Sequence, residues 1–386
     1  MKKQGDAIAT AGRTVLIVGA SFAGLSMAYW MCRLGYEVTI VEISTGLRLG
    51  GTPVDIRGRT IDVAAQMGIL DAIKKRSLPP RATEFKNAND VTEALLAPPS
   101  VAEDGGMDGY EIDRDALLAI LFKQVEGQID IRFGMTIAGL EDIGEAVRAR
   151  FADGTERNFS LVLGCDGNHS AVRTLVFGPE SQYSQFLGAC FSISIVAKRI
   201  IEPNTTQVYS VPGRTVMLNS YENKTDIVLC FRTDNETISD QRDLDHKRRI
   251  ILDRFADMDW RTPELLEEVK SSESFYFDKL SQVKMPSWTK GRVALVGDAA
   301  YCASPASGMG GSLAIIGAAA LAEAFGQYGD DHVLAFEGYN NALRPFIDEV
   351  QKDAVAFGLE TFTPSTEEAI RARNELFTAA SSAQYP

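Results

Sequence analysis

The chain has 386 residues, 45% of them hydrophobic and 24% charged, so it can bury full cores in roughly two or three packed units. Its formal charge is −13, and so acidic a surface repels phosphate backbones and anionic bilayers; we expect neither nucleic acid nor a membrane as partner. Five cysteines without a C-x-x-C spacing and three dispersed histidines disfavour disulfide frameworks and metal sites. With no apolar leader among the first residues, the cytoplasm is the expected location.

The first predicted elements form a strand–turn–helix–strand unit. Thr14–Val18 is a short apolar run typical of a buried strand, and residues 37–41 form a second one. Between them lie a glycine-containing turn and a helical segment that stops at Gly35. This order, closed by the acidic Glu42, predicts a right-handed βαβ unit of a parallel sheet.

Later segments change character along the chain. Amphipathic spacing predicts helices over 61–72 and 113–124, with an irregular excursion over 87–106. From 186 to 232, strand-length apolar runs separated by turns, one of them 222–226, predict an antiparallel meander. Residues 293–296 form another buried strand, followed by a glycine-rich loop and a helix of small residues. The remainder is mostly helical, with a kink or break expected at Pro345.

The turn after the first strand matches the dinucleotide fingerprint G-x-G-x-x-G except at its middle glycine. Its first glycine makes the tight turn, and its last allows the helix to pack closely on the strand. Serine in the middle still permits the backbone to approach a pyrophosphate, which the helix N-terminus would hold. The Glu42 carboxylate could accept a hydrogen bond from a ribose hydroxyl. A plain glycine turn of an α/β protein remains the alternative. The residues concerned are Gly19, Ala20, Ser21, Phe22, Ala23 and Gly24.

Two distant segments bear on which dinucleotide is bound. Residues 161–173 (LVLGCDGNHSAVR) join a buried strand to an Asp-Gly pair and an arginine, and residues 293–312 (VALVGDAAYCASPASGMGGS) join a strand to a Gly-Asp pair and a glycine-rich loop. The candidate site residues in them are Asp166, Arg173, Gly297, Asp298, Pro305, Gly308, Met309, Gly310, Gly311 and Ser312. In this order, the three segments resemble the class A flavoprotein aromatic hydroxylases over nearly the whole chain. The segments RLGGTPVD and YEIDRDALLAIL, with Arg48, Asp55 and Arg114, are similar to the tetracycline-inactivating monooxygenases.

The resemblance implies an α/β fold in which a Rossmann-like FAD-binding domain carries an inserted antiparallel β-sheet substrate domain and C-terminal helices. The expected boundaries are 13–80, 107–178 and 285–330 for the FAD-binding domain, 81–106 and 179–284 for the substrate domain, and 331–386 for the helical segment. Arg48 would lie near the nicotinamide approach, Asp55 and Arg114 would contact FAD, and the Asp-Gly motif would serve FAD and NADPH. Asp298 would hold the ribityl or phosphate portion, and the loop from Pro305 to Ser312 would face the isoalloxazine ring.

Other interpretations stay open at several of these positions. Arg48 and Arg114 are equally plausible as solvated surface charges, and so are Arg57 and Arg59, which could otherwise bind the 2′-phosphate of NADPH. His169 is interpreted as a loop histidine without a catalytic role. The chain departs from the family at Ser21, at Tyr301, where many relatives have histidine, and at Ser312, where asparagine is usual. Serine at 312 lacks the side-chain amide that could contact the flavin.

The resemblance implies an FAD-dependent monooxygenase that uses NAD(P)H and O₂ to hydroxylate an aromatic or polycyclic small molecule, such as a tetracycline-like antibiotic, through a C4a-hydroperoxyflavin. No side chain is assigned a catalytic role, because the chemistry is centred on the flavin. A reductase or dehydrogenase of the same fold and a non-catalytic ligand-binding protein are the alternatives. Which faces of the inserted sheet line the pocket depends on strand register, since one slip inverts every assignment. A monomer is expected.

Overall fold

The computed structural model describes residues 12–97, 109–236 and 243–384, and in these ranges the predicted α/β fold class is confirmed. The strands are β1 Thr14–Val18, β2 Glu37–Glu42, β3 Val54–Arg57, β4 Ala82–Lys86, β5 Thr92–Leu96, β6 Gly109–Ile112, β7 Asp130–Phe133, β8 Ile137–Asp142, β9 Val147–Phe151, β10 Glu156–Phe159, β11 Leu161–Gly164, β12 Ser184–Val196, β13 Thr205–Val211, β14 Arg214–Ser220, β15 Thr225–Arg232, β16 Ser274–Val283, β17 Thr289–Lys290 and β18 Val293–Leu295. The helices are α1 Phe22–Arg33, α2 Arg59–Gln66, α3 Leu70–Lys75, α4 Arg114–Lys123, α5 Ala171–Val176, α6 Leu244–Phe255, α7 Thr262–Ser271, α8 Asp298–Tyr301, α9 Gly310–Tyr328, α10 His332–Asp353, α11 Leu359–Phe362 and α12 Glu367–Gln384. None of the helices described is long and apolar enough to cross a bilayer.

A six-stranded sheet forms the centre of the first layer, in the order β17-β18-β11-β1-β2-β7, with all pairs parallel except β17–β18. Its central strand β1 is buried at Val15, Leu16 and Ile17, as expected for a strand covered on both faces. Because β1, β11 and β18 are parallel neighbours, the turns that follow them meet at one edge of the sheet. That edge is where open α/β sheets bind ligands.

A seven-stranded sheet, in the order β16-β12-β15-β14-β13-β4-β5, forms the second layer. The predicted antiparallel meander is present, but β13 and β4 pair in parallel, so the sheet is mixed. Strand β5 also falls in a stretch predicted to be irregular. It is ordered because Ala94 packs with Phe85 of β4 and Val208 of β13 in a small buried cluster. The residues 98–106 of that stretch lie outside the described ranges, and the domain boundaries remain a prediction.

Two helix predictions need correction. The predicted helix over 61–72 is divided into α2 and α3 because Gly68 adopts a φ of +71°, which ends the first helix. The predicted break at Pro345 is wrong, since α10 continues through it. Leu343 and Ile347, on either side of the proline, are each 1% exposed, and this packing holds the helix together where its backbone hydrogen bond is lost.

The C-terminal helices cover part of the seven-stranded sheet. After one π-helical turn at Ala354–Gly358, Leu359 packs into a buried cluster with Phe191 of β12. The Thr363 hydroxyl donates to the Cys230 sulfur at 2.7 Å, and the ring of Phe377 in α12 stacks on Phe85 at 5.2 Å. The C-terminal segment is therefore part of the same packed structure as the sheet.

Candidate active site

The three predicted motifs lie together at the carboxyl edge of the parallel sheet. A Cβ at Gly19, in the turn after β1, would lie 2.4 Å from the carbonyl oxygen of Cys165, in the turn after β11. A Cβ at Gly297, after β18, would lie 3.1 Å from the Cβ of Ala23 in α1. Contacts this close exclude larger side chains, so these glycines allow the motifs to meet.

The first turn leaves the N-terminus of α1 uncapped. Gly19 has a φ of +102°, and a Cβ at Gly24 would lie 1.9 Å from the Gly19 carbonyl oxygen, so helix and turn are in backbone contact. Ser21 occupies the N-cap position without capping the helix; its hydroxyl accepts a hydrogen bond from Arg114 at 3.3 Å instead. The first-turn amides and the positive end of the dipole are thus arranged to bind an anion such as a pyrophosphate.

Glu42 fixes the shape of this turn. One of its carboxylate oxygens accepts from the Ala20 amide at 2.8 Å and the other from the Ser44 amide at 2.9 Å. Each oxygen keeps a further lone pair. Those lone pairs are the acceptors that our prediction assigns to an adenosine ribose.

Arg114 is an internal connector rather than a solvated charge. Its guanidinium donates to the carbonyl oxygens of Arg48 at 2.6 Å and Gly50 at 3.1 Å, and lies 5.2 Å from the ring centre of Phe22. Burial, and then the charge of Arg48, lowers the pKa of Arg114. It thereby holds the loop 48–51 against the Gly19–Gly24 turn. The Arg48 side chain itself is exposed, 5.6 Å from the ring centre of Tyr276.

The Asp-Gly motif is occupied by contacts within the protein. Asp166 accepts from the Ser170 hydroxyl at 2.5 Å and the Val172 amide at 3.1 Å, so it caps α5, and burial raises its pKa. Arg173 is 0% exposed and donates to the carbonyl oxygens of Asn168 at 2.5 Å and Ala299 at 2.9 Å. These contacts hold the Asp-Gly and Gly-Asp motifs in place, and the cofactor contacts expected of both residues stay a prediction.

The Gly-Asp motif and the glycine-rich loop border open space. Asp298 forms no ion pair with any residue described, and burial raises its pKa to about 6. Met309 takes the N-cap position of α9 without a side-chain cap, and the preceding turn begins at Pro305. A Cβ at Gly308 or Gly310 would have no atom within 4 Å, which leaves a cradle beside the helix N-terminus.

Gly311 and Ser312 join this loop to β3. A Cβ at Gly311 would lie 2.5 Å from a methyl of Val54, and the Ser312 hydroxyl donates to the backbone oxygen of Asp55 at 2.7 Å. Ser312, in place of the family's asparagine, therefore anchors the helix. The Asp55 carboxylate accepts from Arg57 at 3.2 Å. The three arginines considered for a 2′-phosphate, Arg48, Arg57 and Arg59, are all exposed, and Arg59 lies 5.0 Å from the ring centre of Phe346.

These features fit FAD. An uncapped α1 N-terminus can hold the pyrophosphate, and the part-exposed Asp298 carboxylate, which forms no ion pair and is hydrogen-bonded to the Cys302 thiol, can still accept from ribityl hydroxyls. The cradle at Gly308 and Gly310 admits a flat ring close to backbone. When bound, the negative charge of reduced flavin would be stabilised by the N-terminus of α9, whose first turn holds no acidic residue. Within the described residues, no group of three or more histidine, cysteine, aspartate or glutamate residues could hold a metal ion.

The register settles which face of the seven-stranded sheet is turned toward this site. The opposite face, with Cys190, Leu229 and Val216, is covered by α6 and α7. The other face, here called the cleft face, is partly covered by the C-terminal helices, since Phe191 packs with Leu359 and Val208 with Phe377. It also reaches the site, because the cluster of Phe191 contains Ala306 of the glycine-rich loop. The other members of the cleft face are Ile193, Ile195, Thr206, Val208, Met217, Asn219, Asp226, Val228, Cys230, Tyr276 and Asp278.

His169 connects the two layers, a role that the sequence interpretation missed. Its Nδ1 lies 3.0 Å from Glu180 and its Nε2 3.2 Å from Asp278, whose carboxylate also accepts from the Tyr276 hydroxyl at 2.8 Å. Two ring nitrogens facing two carboxylates require an imidazolium, and these hydrogen bonds raise the pKa of His169 to about 10. The only sequence signal was its place beside the Asp-Gly motif. The network fixes Tyr276, and with it the surface on which Arg48 rests.

We expect this network to make stability depend on pH. The folded pKa of His169 lies above the ordinary value of about 6.5, so its contribution is complete below pH 6.5 and is lost as the pH rises through about 10. Because the side chain is 56% exposed, solvent limits the effect to about 1 kcal/mol. Besides Glu180 and Asp278, the charges facing it are those of Arg173 and Lys279.

Urea unfolding of the wild type and of His169→Gln between pH 6 and 10.5 measures this contribution. The stability difference is expected to be greatest at pH 6 and to vanish near pH 10.5. His246→Gln, at the start of α6, is the control and is expected to show no such convergence. A difference that is independent of pH would show that His169 is not held as a cation.

The fold and this site define a flavin-dependent enzyme, and comparison with known proteins identifies the family. A family model described as FAD binding domain matches residues 13–332. The chain belongs to this family, the FAD-dependent monooxygenases of class A, as the sequence resemblance implied.

Three relatives indicate how close the similarity is. An uncharacterized protein of Mycobacterium tuberculosis (strain H37Rv) is 38% identical over 344 residues, which cover 88% of this chain and 92% of that protein. A flavin-dependent monooxygenase of Legionella longbeachae is 33% identical over 351 residues, covering 88% and 87% of the two chains. The crystal structure of tetracycline destructase Tet(51) superposes with a TM-score of 0.83 at 32% identity, covering 97% of each chain.

Proposed function

We propose that this protein is an NAD(P)H-dependent FAD monooxygenase that hydroxylates an aromatic or polycyclic small molecule, with tetracycline-like compounds as the first candidates. The observations that carry the proposal are the open space at Gly308 and Gly310 and the packing of Ala306, in the same loop, with Phe191 of the largely apolar cleft face. A flat ring between the loop and this face would meet backbone on one side and aliphatic and aromatic side chains on the other. The similarity to a tetracycline destructase over the full chain supports the substrate class.

The residues of this chain would bind and orient the cofactors and the substrate, and would shield the reaction from water. FAD, when bound, accepts hydride from NAD(P)H and activates O₂. The α1 N-terminus and Asp298 would fix its phosphates and ribityl chain, and the N-terminus of α9 would favour the anionic reduced ring. Arg48 would meet the incoming nicotinamide nucleotide. The apolar rows of the cleft face would exclude water from the reacting oxygen.

Overall, one oxygen atom enters the substrate and the other leaves as water, with NAD(P)H supplying two electrons. All five cysteines are free, which agrees with our proposal that the enzyme acts in the reducing cytoplasm. We propose further that it works as a monomer and prefers NADPH to NADH.

The decisive experiment follows NADPH oxidation by the yellow, purified protein with tetracyclines, phenols and aromatic polyketides, under ¹⁸O₂. We expect at least one compound to accelerate NADPH oxidation and to gain a single ¹⁸O atom. Accelerated oxidation with no label in any product would instead favour the reductase alternative. A colourless protein that cannot bind added FAD would contradict both enzymatic functions and leave the ligand-binding alternative.

A further inference from the structure

A polar row crosses the otherwise apolar cleft face at one end. Asp226 of β15 pairs directly with Asn219 of β14, which in turn pairs with Thr206 of β13. The Thr206 hydroxyl donates to the Asn219 side-chain oxygen at 2.9 Å. In the next row along, the same strands present Val228 and Met217. A row with this composition in a substrate wall indicates that one end of the ligand is polar.

Asp226 is buried without a well-formed hydrogen bond. Its side chain is 0% exposed, and its one polar neighbour of hydrogen-bonding type among the described residues, the Tyr221 hydroxyl, opposes the rise of its pKa on burial but leaves both carboxylate oxygens short of a good hydrogen-bond geometry. Two neighbours share this condition: the Tyr221 hydroxyl and one terminal nitrogen, Nη1, of Arg81 are also buried without well-formed hydrogen bonds, although Tyr221 interacts with both Arg81 and Asp226. Buried polar atoms almost always make good hydrogen bonds, so a cluster that leaves four of them loosely paired points to a further polar group that the protein itself does not supply.

Among the charged side chains of this cluster, Asp226 is the one that forms no ion pair with a described residue. Arg81 forms an ion pair with Glu111, and Lys224 pairs with Asp113 at 2.7 Å. Burial raises the pKa of Asp226 to about 6, while Lys224, Tyr221 and Arg81 act in the opposite direction. The Arg81 guanidinium lies 4.8 Å from the ring centre of Tyr221, so donors and acceptor stand close together.

The cluster adjoins the expected flavin position along two routes. Ile195, the strand partner of Asp226, has its terminal methyl 3.7 Å from where a Cβ would stand on Gly50, in the loop held by Arg114. Glu111, the partner of Arg81, lies directly opposite Asp55 in the β3–β6 pair. The polar end of the substrate wall is thus the end beside the flavin.

We propose that Asp226, Tyr221 and Arg81 form the subsite that binds a phenolic or enolic hydroxyl of the substrate. Such a hydroxyl donates to a carboxylate oxygen of Asp226 and accepts from the free nitrogen of Arg81 or from Tyr221. An ammonium group would satisfy the carboxylate but would face the Arg81 cation, and a methyl ether could accept but not donate. This inference rests on the proposed function, because it names the group by which that substrate is recognised.

Calorimetric titration of the FAD-loaded enzyme with 2-naphthol and 2-methoxynaphthalene tests the subsite, since the two probes differ only in the donor. We expect the wild type to bind 2-naphthol about tenfold more tightly, and Asp226→Leu to bind the two about equally. At pH 8 the ligand-free variant is expected to keep or raise its melting temperature, because an unpaired buried charge is removed. At pH 5 that gain shrinks, because the wild-type carboxylate is then protonated.

Glu267→Leu is the matched control, an exposed acid on α7 beyond the opposite face of the sheet, and should preserve the naphthol preference. Three results would overturn the proposal: a wild type that binds neither probe or both equally, a preference that survives Asp226→Leu, or a variant that melts several degrees lower. The last two together would mean that the cluster holds only structural water. Failure of the proposed monooxygenase function would appear differently, as a protein without FAD or a product without ¹⁸O. The titration tests the subsite separately, because it measures binding and needs no turnover.

Discussion

Replacing Arg173 with methionine is expected to lower the free energy of unfolding by about 3–5 kcal/mol, because a buried and hydrogen-bonded cation is removed. The wild-type guanidinium donates to the carbonyl oxygens of Asn168 and Ala299 and lies 3.6 Å from the Glu180 carboxylate. Methionine fills much of the volume but donates to none of these groups. The substitution would leave two carbonyl oxygens and part of a carboxylate unpaired.

Urea unfolding, with the bound FAD measured in parallel, checks this expectation. Arg371→Met is the matched control, because that arginine is 67% exposed and its ion pair with Glu368 spans one helical turn. Removing such a pair should change stability by less than about 1 kcal/mol. If Arg173→Met unfolded like the control while NADPH binding fell, Arg173 would contact a cofactor after all, as the sequence resemblance implied.

The effect should extend from stability to FAD. Asn168 belongs to the loop after β11 and Ala299 to α8, the short helix after β18, so Arg173 ties two of the three motifs together. Without it, Asp298 would lose its fixed position relative to the first turn. We therefore expect Arg173→Met to bind FAD more weakly even where it remains folded.

The strand–turn–helix–strand unit could be predicted from sequence because each of its signals is local. A strand buried on both faces is continuously apolar, and Gly19 and Gly24 are dictated by backbone geometry within a few residues. The alignment of three motifs at one sheet edge followed from strand polarity alone. The family resemblance extended this to FAD, a cofactor to which the open cradle at Gly310 is suited.

What could not be predicted depends on partners distant in sequence. The sequence predicted that Arg173 binds a ligand, because nothing nearby in sequence shows that its guanidinium will donate a hydrogen bond to the carbonyl oxygen of Ala299. His169 became a connector only when β16 brought Asp278 beside it. Asp226 was assigned to a turn, whereas its strand begins at Thr225 and register turns it inward. Propensity and spacing do not encode such contacts across sheets.

Alanine at Gly24 is expected to abolish FAD binding and alanine at Gly310 to weaken it, for different reasons, and the two variants together locate the cofactor. A Cβ at Gly24 would lie 1.9 Å from the Gly19 carbonyl oxygen, a backbone atom that cannot move without reshaping the turn. We expect Gly24→Ala to lose about 3 kcal/mol of stability, through overpacking, together with FAD. The loss of stability should be present before any cofactor is added.

Gly310→Ala should separate these two effects. A Cβ there meets no protein atom within 4 Å, and alanine is the better helix former at the start of α9, so the apoprotein should be as stable as the wild type or up to about 1 kcal/mol more stable. If the flavin ring lies in that space, the added methyl must weaken FAD binding, by about tenfold for each 1.4 kcal/mol of steric cost. The measurements are the melting temperature of the apoprotein and the FAD dissociation constant from fluorescence titration.

Gly326→Ala supplies the control within the same helix, where a Cβ also meets nothing within 4 Å but lies on the exposed side. It should raise stability by about 0.5–1 kcal/mol without affecting FAD. If Gly310→Ala behaved like Gly326→Ala, the cradle would not be where the ring binds, and the opposition of ring and cleft face would have to be abandoned. If it lost FAD while its apoprotein remained stable, the open space at Gly310 would be assigned to the flavin, because protein packing could not explain the loss.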